Sequence, residues 1–339
     1  MWLSGVLLVM KRTIYIFSDG EIKRKGNTLY FESEGGKKYI PVESTSELFI
    51  FGEVTINKRL LEFLTETEII MHFFNYYGYY IGSFYPREHL NSGYMILKQA
   101  EHYLDIDKRL TLAKKFVSGA VENIKKVLNY YFIRGKPLNE EIEKINEISK
   151  SIEECDDVDT LMAIEGNIRE QYYNAFDQIL DNEHFIFEAR SKRPPKNRLN
   201  ALISFTNSLI YTICLSEIYH THLDPRIGFL HTTNMRRFTL NLDVAEIFKP
   251  IIADRVTFSL VNKGIIKKEH FEQKLDGIVL NEKGRQIVIG QMEQRLRDTI
   301  QHKKLGRHVS YRQLIRLELY KIQKHLIGEE EYKPFVMWW

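Results

Sequence analysis

The residues best equipped for chemistry lie within positions 223–250, LDPRIGFLHTTNMRRFTLNLDVAEIFKP. One histidine, His231, sits in a turn-rich stretch ahead of a helix that opens with two acids, Asp243 and Glu246. Spaced three apart, both carboxylates project from one helix face. An imidazole and two carboxylates that converge form a seat for a divalent metal, and a metal held so lends itself to phosphodiester chemistry. Each residue also has a plain structural use. An acid in the first turn of a helix is a favourable charge against the helix dipole, and a loop histidine commonly does no more than hydrogen-bond.

A third acid, Glu165, lies mid-helix beside Ile164, with Gly166 directly after it. Glycine inside a helix costs roughly 1 kcal/mol relative to alanine, so it predicts close approach of another group. The alternative use of Glu165 is a surface ion pair with Arg169 at i, i+4, worth about 0.3 kcal/mol. Periodicity does not separate the two. No GxxxxGK[ST] loop, GxGxxG turn, GxSxG elbow or HExxH helix is present, so nothing points to ATP hydrolysis, a dinucleotide or a serine hydrolase.

The elements that must carry these residues divide the chain in two. From Met10 to about Pro86, short runs (TIYIF, TLYFE, KYIPV, ELFIFGEVTI, EIIMHFF, YYIGSF) alternate apolar and polar residues between Gly-bearing turns, with a short helix near Lys58 to Leu64. That pattern predicts a small β domain. Beyond Pro86 the period becomes helical. Asn91 or Ser92 caps a helix running towards Phe132 with a break near Asp105, and further helices cover 140–151, 157–180 and 199–219. The 157–180 helix places Leu161, Ile164, Ile168, Tyr172, Ala175 and Ile179 on one buried stripe. A helix from near Leu242 passes Pro250, which should kink it, and stops at Gly264. Ser310 and Gln313 form a capping-box pair opening a last helix to about Leu326. The fold class is therefore α+β: a small β-rich domain over residues 1–88, then a larger all-α domain over 89–339.

The whole chain of 339 residues carries a net charge of only +3, but charge is unevenly spread. Residues 283–324 hold eleven Lys or Arg against three acids, a local balance of +8; residues 137–181 hold thirteen acids against three bases, a balance of −10. A basic region of this kind is either a solvated face or a surface for phosphates. Cys155 and Cys214 lack metal-type spacing and fit a reduced, cytoplasmic protein. No run of 18 apolar residues occurs, so no membrane association is expected. The opening MWLSGVLLVM is too short to span and lacks a basic start, and Met10 is the expected natural beginning.

Four ordered segments carry a resemblance. ELFIFGEVTINKRLLEFLTETEIIMHFFNYYGYYIGSFYP, IEGNIREQYYNAF, RPPKNRLNALISF and the stretch from Leu223 to Pro250 are similar, in order and spacing, to the CRISPR-associated integrase family (Cas-one). The similarity covers about Met10 to Gly328. It implies a metal-dependent DNA endonuclease and integrase of the adaptation arm of antiviral defence, with a catalytic, DNA-binding helical domain. It implies Glu165, His231 and Glu246 as metal ligands for Mg2+ or Mn2+. Asp243 matches a further catalytic acid close to the metal, either an outer partner or a second ligand. Asn200 and Lys249 match polar positions around the same pocket. Two departures affect loop contacts only: Pro195-Lys196-Asn197-Arg198 stands where the family often has Asp-Pro, and Asn167-Ile168 replaces two small residues.

The resemblance also implies a homodimer formed through the β domains, double-stranded DNA as substrate, and assembly with the small Cas-two protein. Charge and position nominate phosphate contacts: Lys192, Arg193, Lys196 and Arg198 before the pocket, Arg236 and Arg237 within it, and Arg295, Arg297, Lys303, Lys304 and Arg307 in the basic stretch. The terminal PFVMWW is a candidate docking tail or a strap on its own domain. Two other readings stay open: a stand-alone structure-selective nuclease using the same metal, and a DNA-binding scaffold whose acids are structural.

Overall fold

The computed structural model describes residues 11–87, 90, 92–192, 194–233, 238–274 and 277–338. The expected opening of the first strand at Met10, the Asn91 cap, and the candidate contacts Arg193, Arg236 and Arg237 lie outside these residues, as does Trp339. The chain forms two compact units, Met1–His89 and Leu90–Trp339.

The first unit contains β1 (Arg12–Ile16), β2 (Gly20–Lys25), β3 (Thr28–Ser33), β4 (Gly36–Ile40), β5 (Thr45–Ile50), β6 (Val54–Thr55), α1 (Lys58–Thr67), β7 (Ile70–Phe74) and β8 (Tyr80–Phe84). One sheet runs β1-β5-β7-β8 and the other β4-β3-β2-β6. Short strands between glycines read as hairpins, and β2-β3-β4 and β7-β8 are antiparallel as that implies. By contrast β1, β5 and β7 are parallel neighbours, a long-range pairing no local turn announces. Strand β2, GEIKRK, is too polar to stand out in sequence; only Ile22 points fully inward. Ile16, Ile22, Leu29, Leu48, Ile50, Leu60, Leu64 and Met71 make this unit's core. The turn at Tyr77-Gly78 is real, with Gly78 at φ +79°, where a side chain would be strained.

The second unit is mostly helical. Its elements begin with α2 (Gly93–Leu104), α3 (Ile106–Phe132), α4 (Asn139–Glu154), α5 (Val158–Asn174), α6 (Phe176–Leu180) and α7 (Arg198–Tyr219). Ser92, Asp105, Asp157 and Asn197 cap α2, α3, α5 and α7 by accepting from the backbone N–H three residues on. The break near Asp105 is thus a cap between two helices. Asn197, in the loop that departs from the family pattern, supplies the α7 cap. Helix α7 is long and apolar enough to cross a membrane by length and composition, yet 89% of that stretch is buried in the fold. It is the central core helix, and it departs from the expectation of no such segment only in composition.

After α8 (Leu240–Phe248), Pro250 opens one π-helical turn, Pro250–Asp254, before α9 (Arg255–Asn262). Proline has no N–H for the α-helical bond; the ladder widens instead, with Asp254 N donating to Lys249 O at 3.0 Å. Gly264, at φ +61°, ends the run as expected. The expectation of an all-α region needs correction beyond this point. Two hairpins interrupt it: β9 (Phe271–Lys274) with β10 (Gly277–Leu280), and β11 (Thr299–His302) with β12 (Arg307–Ser310), separated by α10 (Glu282–Arg297). Four-residue, largely polar strands leave no periodic signature. Helix α11 (Tyr311–Leu326) starts at the Ser310–Gln313 capping box.

The C-terminal segment settles on its own unit. Asn123 of α3 donates to Phe335 O at 3.0 Å and accepts from Met337 N at 2.8 Å, and Glu318 accepts from Tyr332 OH and Phe335 N. Phe335 and Met337 are buried. Of the two uses open to PFVMWW, the strap is the one these bonds make, and docking would require undoing them. Both cysteines are free and buried.

Candidate metal centre

Helix α8 carries Asp243 and Glu246 on one face, α5 carries Glu165, and the loop between α7 and α8 carries His231. Asp243 is fully buried and organises that loop. Its Oδ2 accepts from Phe229 N at 2.5 Å and Leu230 N at 3.1 Å; its Oδ1 accepts from His231 N at 2.9 Å and meets His231 Nδ1 at 2.8 Å. Four donors fill the lone-pair sites of one carboxylate. In this structure Asp243 thus positions the loop and His231. The chain must pass so close here that a Cβ on Gly228 would come within 2.8 Å of Asp243 Oδ2 and 2.7 Å of the Thr239 carbonyl carbon.

With Nδ1 donating to Asp243, neutral His231 keeps its lone pair on Nε2, the atom left for a ligand. Burial disfavours the imidazolium, but the hydrogen bond and charge of Asp243 outweigh it and raise the pKa above 6.5.

Glu165 and Glu246 are brought together by a residue that the sequence offered only as a surface partner. Arg169, itself buried, donates from Nε and Nη2 to Glu165 Oε1, both at 3.2 Å, and from Nη2 to Glu246 Oε2. Lys249 Nζ donates to Glu246 Oε1 at 2.7 Å and Oε2 at 2.9 Å. Burial would raise the Glu246 pKa; Arg169, Lys249 and His231 together hold it at about 2. His231 thus acts electrostatically on Glu246, and Arg169 links Glu246 to Glu165. Gly166 behaves otherwise than expected: a Cβ there meets nothing within 4 Å, so no protein group forces the glycine beside Glu165.

Among the described residues, no three His, Cys, Asp or Glu side chains form a ready cation cage. Arg169 bonds to both Glu165 and Glu246. The donor set itself fits a divalent ion: two carboxylates neutralised by buried cations, and an imidazole whose outer partner already sets its tautomer.

The expected DNA contacts divide sharply. Asn200 is fully buried, and its side chain bonds Arg190 Nη1, Ser191 N and Ala189 O, so it shapes the loop before α7. Lys249 is buried in the acid cluster. Arg295 is spent on Ile251 O and the Tyr311 ring. In this structure the side chains of all three are engaged within the fold. Lys196, Lys303, Lys304 and Arg307 are exposed, and Arg198 is half-buried; Lys304 pairs with Glu330, and Arg297 with Glu293. Lys192 is exposed at the rim, its pKa lowered by partial burial and then by Arg190 and Lys249. Sequence reading missed Asp254, an acid buried in the apolar run after Pro250.

The fold is that of a casposase solved with its integration product (TM-score 0.87, 18% identity, 96% of this chain and 93% of that one). The chain belongs to the CRISPR-associated Cas1 family, whose model, described as CRISPR associated protein Cas1, matches residues 14–294. It is 77% identical over 330 residues to a CRISPR-associated endonuclease Cas1 of Thermodesulfovibrio yellowstonii, covering 97% of this chain and 100% of that relative. A solved Cas1 protein from Thermotoga maritima matches at TM-score 0.87 and 48% identity, covering 96% of this chain and 99% of that one.

Proposed function

We propose that this protein is a divalent-cation-dependent DNA endonuclease and integrase that inserts foreign DNA fragments into a CRISPR array. The observation that supports the reading is the link of Glu165 to Glu246 through Arg169, with His231 among the charges acting on Glu246, in a member of the Cas1 family. Glu165, Glu246 and His231 Nε2 would hold Mg2+ or Mn2+. When bound, such an ion polarises the scissile phosphate and lowers the pKa of an attacking hydroxyl.

The remaining work belongs to the chain. Asp243 keeps His231 oriented and its Nδ1 protonated. Lys249, and Lys192 at the rim, place positive charge beside a pocket that must accept phosphate. In the joining step a DNA 3′-oxygen forms a bond to phosphorus and the 3′-oxygen of the target strand leaves, taking up a proton. One P–O bond forms and one breaks, so no nucleotide energy source is needed. Pairing through the β-rich unit into a homodimer, and assembly with a Cas2-type partner, belong to the same reading.

The test is strand transfer of a labelled fragment with a free 3′-hydroxyl into a repeat-bearing duplex, with Mg2+ or Mn2+ and with EDTA. Joined product is expected from the wild type only with metal, with a loss of at least about 100-fold in Glu165→Ala and His231→Ala. Cut products without joining would favour a stand-alone nuclease. Processing that survives both substitutions would leave a DNA-binding scaffold.

A further inference from the structure

Arg169 reaches both glutamates with only part of its guanidinium. Nε and Nη2 make all of the bonds to Glu165 and Glu246, while Nη1 is buried without a partner. Asp254, at the end of the π-helical turn, is 1% exposed; its Oδ2 is likewise buried and makes no well-formed hydrogen bond, with the buried Tyr172 hydroxyl as a donor acting on it. The two groups lie close enough for each to sense the other's charge. A buried donor and a buried acceptor left unmatched each cost about 1–3 kcal/mol. Two such groups of opposite charge in one core point to a second arrangement in which they meet.

We propose that Arg169 is a displaceable internal cation: it holds Glu165 and Glu246 together in the metal-free protein and yields that place to a divalent ion by swinging onto Asp254. The proposal rests on the reading of Glu165, His231 and Glu246 as metal ligands. Electrostatics require such a seat. Arg169 and an entering dication repel, and an arginine pushed off its carboxylates would be left buried without a counter-ion, which is strongly unfavourable. Asp254 supplies that counter-ion from a fixed backbone position. Burial pushes its carboxyl up to about 6 in the present arrangement, as expected for an acid short of partners. Lys249 does not compete for the same role, because it already bonds both oxygens of Glu246 and lies 3.3 Å from Tyr211 OH. The arrangement also explains why acids that could bind metal form no open cage here.

Mn2+ uptake, followed by the electron paramagnetic resonance signal of free Mn2+, tests this without reference to activity. Arg169→Gln should bind Mn2+ about tenfold more tightly, and Asp254→Asn about tenfold more weakly. In the Arg169→Gln background, Asp254→Asn should have no effect, since there is no arginine to receive. If Arg169→Gln does not fold, Arg169→Lys carries the same comparison, because a lysine cannot fork between two carboxylates. An Asp254→Asn protein with wild-type affinity, or an equal loss in both backgrounds, overturns the proposal while leaving the metal site standing. A wild-type protein that takes up no Mn2+ overturns both. A structure of Mn2+-loaded crystals should show Arg169 Nη1 within about 3.2 Å of Asp254.

Discussion

At the scale of single residues, the pocket is a set of buried charges that are stable only in combination. Glu246 is the common counter-ion of Arg169 and Lys249, so Glu246→Ala would strand two buried cations. Breaking a buried pair costs about 3–5 kcal/mol; urea unfolding should show a loss of that order, with Glu246→Gln milder. The same variants cannot therefore be read as purely catalytic lesions. Asp254 gives a pH signature of known sign. Its carboxyl rises from 3.8 to about 6 in the folded protein, so the folded state binds the extra proton. That stabilisation is full below about pH 3.8 and is lost as pH rises through about 6. Asp254→Asn should consequently be more stable than wild type at pH 7.5, by about 3 kcal/mol, with the difference vanishing below pH 4. A difference independent of pH would mean that Asp254 is ionised and paired throughout.

At the scale of elements, the loop before α8 and the C-terminal strap both depend on glycines with no room for a side chain. Adding a Cβ to Gly228 drives it into Thr239 and Asp243. Gly228→Ala should release His231 from Asp243 and lose strand transfer while leaving circular dichroism largely intact. Gly119 of α3 faces Pro334, and a Cβ there would lie 2.5 Å from the proline Cβ. Gly119→Val is expected to cost about 1–3 kcal/mol, read as a lower melting temperature. The sequence displayed the caps and the proline turn because these are local: Ser92, Asp105, Asp157 and Ser310 bond to N–H groups three residues away. It did not display β2, the β9–β12 hairpins or the parallel order of β1, β5 and β7, because pairing depends on strands distant in sequence.

At the scale of the molecule, the strap and the charged surface make separable contributions. Deleting residues 334–339 removes buried Phe335 and Met337 and the bonds to Asn123, and should destabilise the helical unit by about 3–6 kcal/mol at ~1.5–3 kcal/mol per buried side chain. Undiminished stability would return the tail to the role of a docking segment. The exposed Lys303 and Lys304 belong to the basic stretch. If they meet DNA phosphates, a double alanine variant should reduce the slope of log affinity against log salt by about 2, without changing base preference.

Sequence alone determined much of this protein: the β-then-α order, most helix ends, and the ordered motifs whose resemblance to the Cas1 family nominates Glu165, His231 and Glu246. These follow from periodicity, caps and motif spacing, all of which are written in neighbouring residues. Only the tertiary structure decided how the triad's charges are held. That Asp243 is consumed by loop N–H groups, that Arg169 turns from a surface ion-pair partner into the buried link between two glutamates, and that Asp254 waits beside it depend on the packing of α5 and the π-helical turn around α8. Electrostatic partners are set by distance in space, and distance in space is what a linear pattern does not contain.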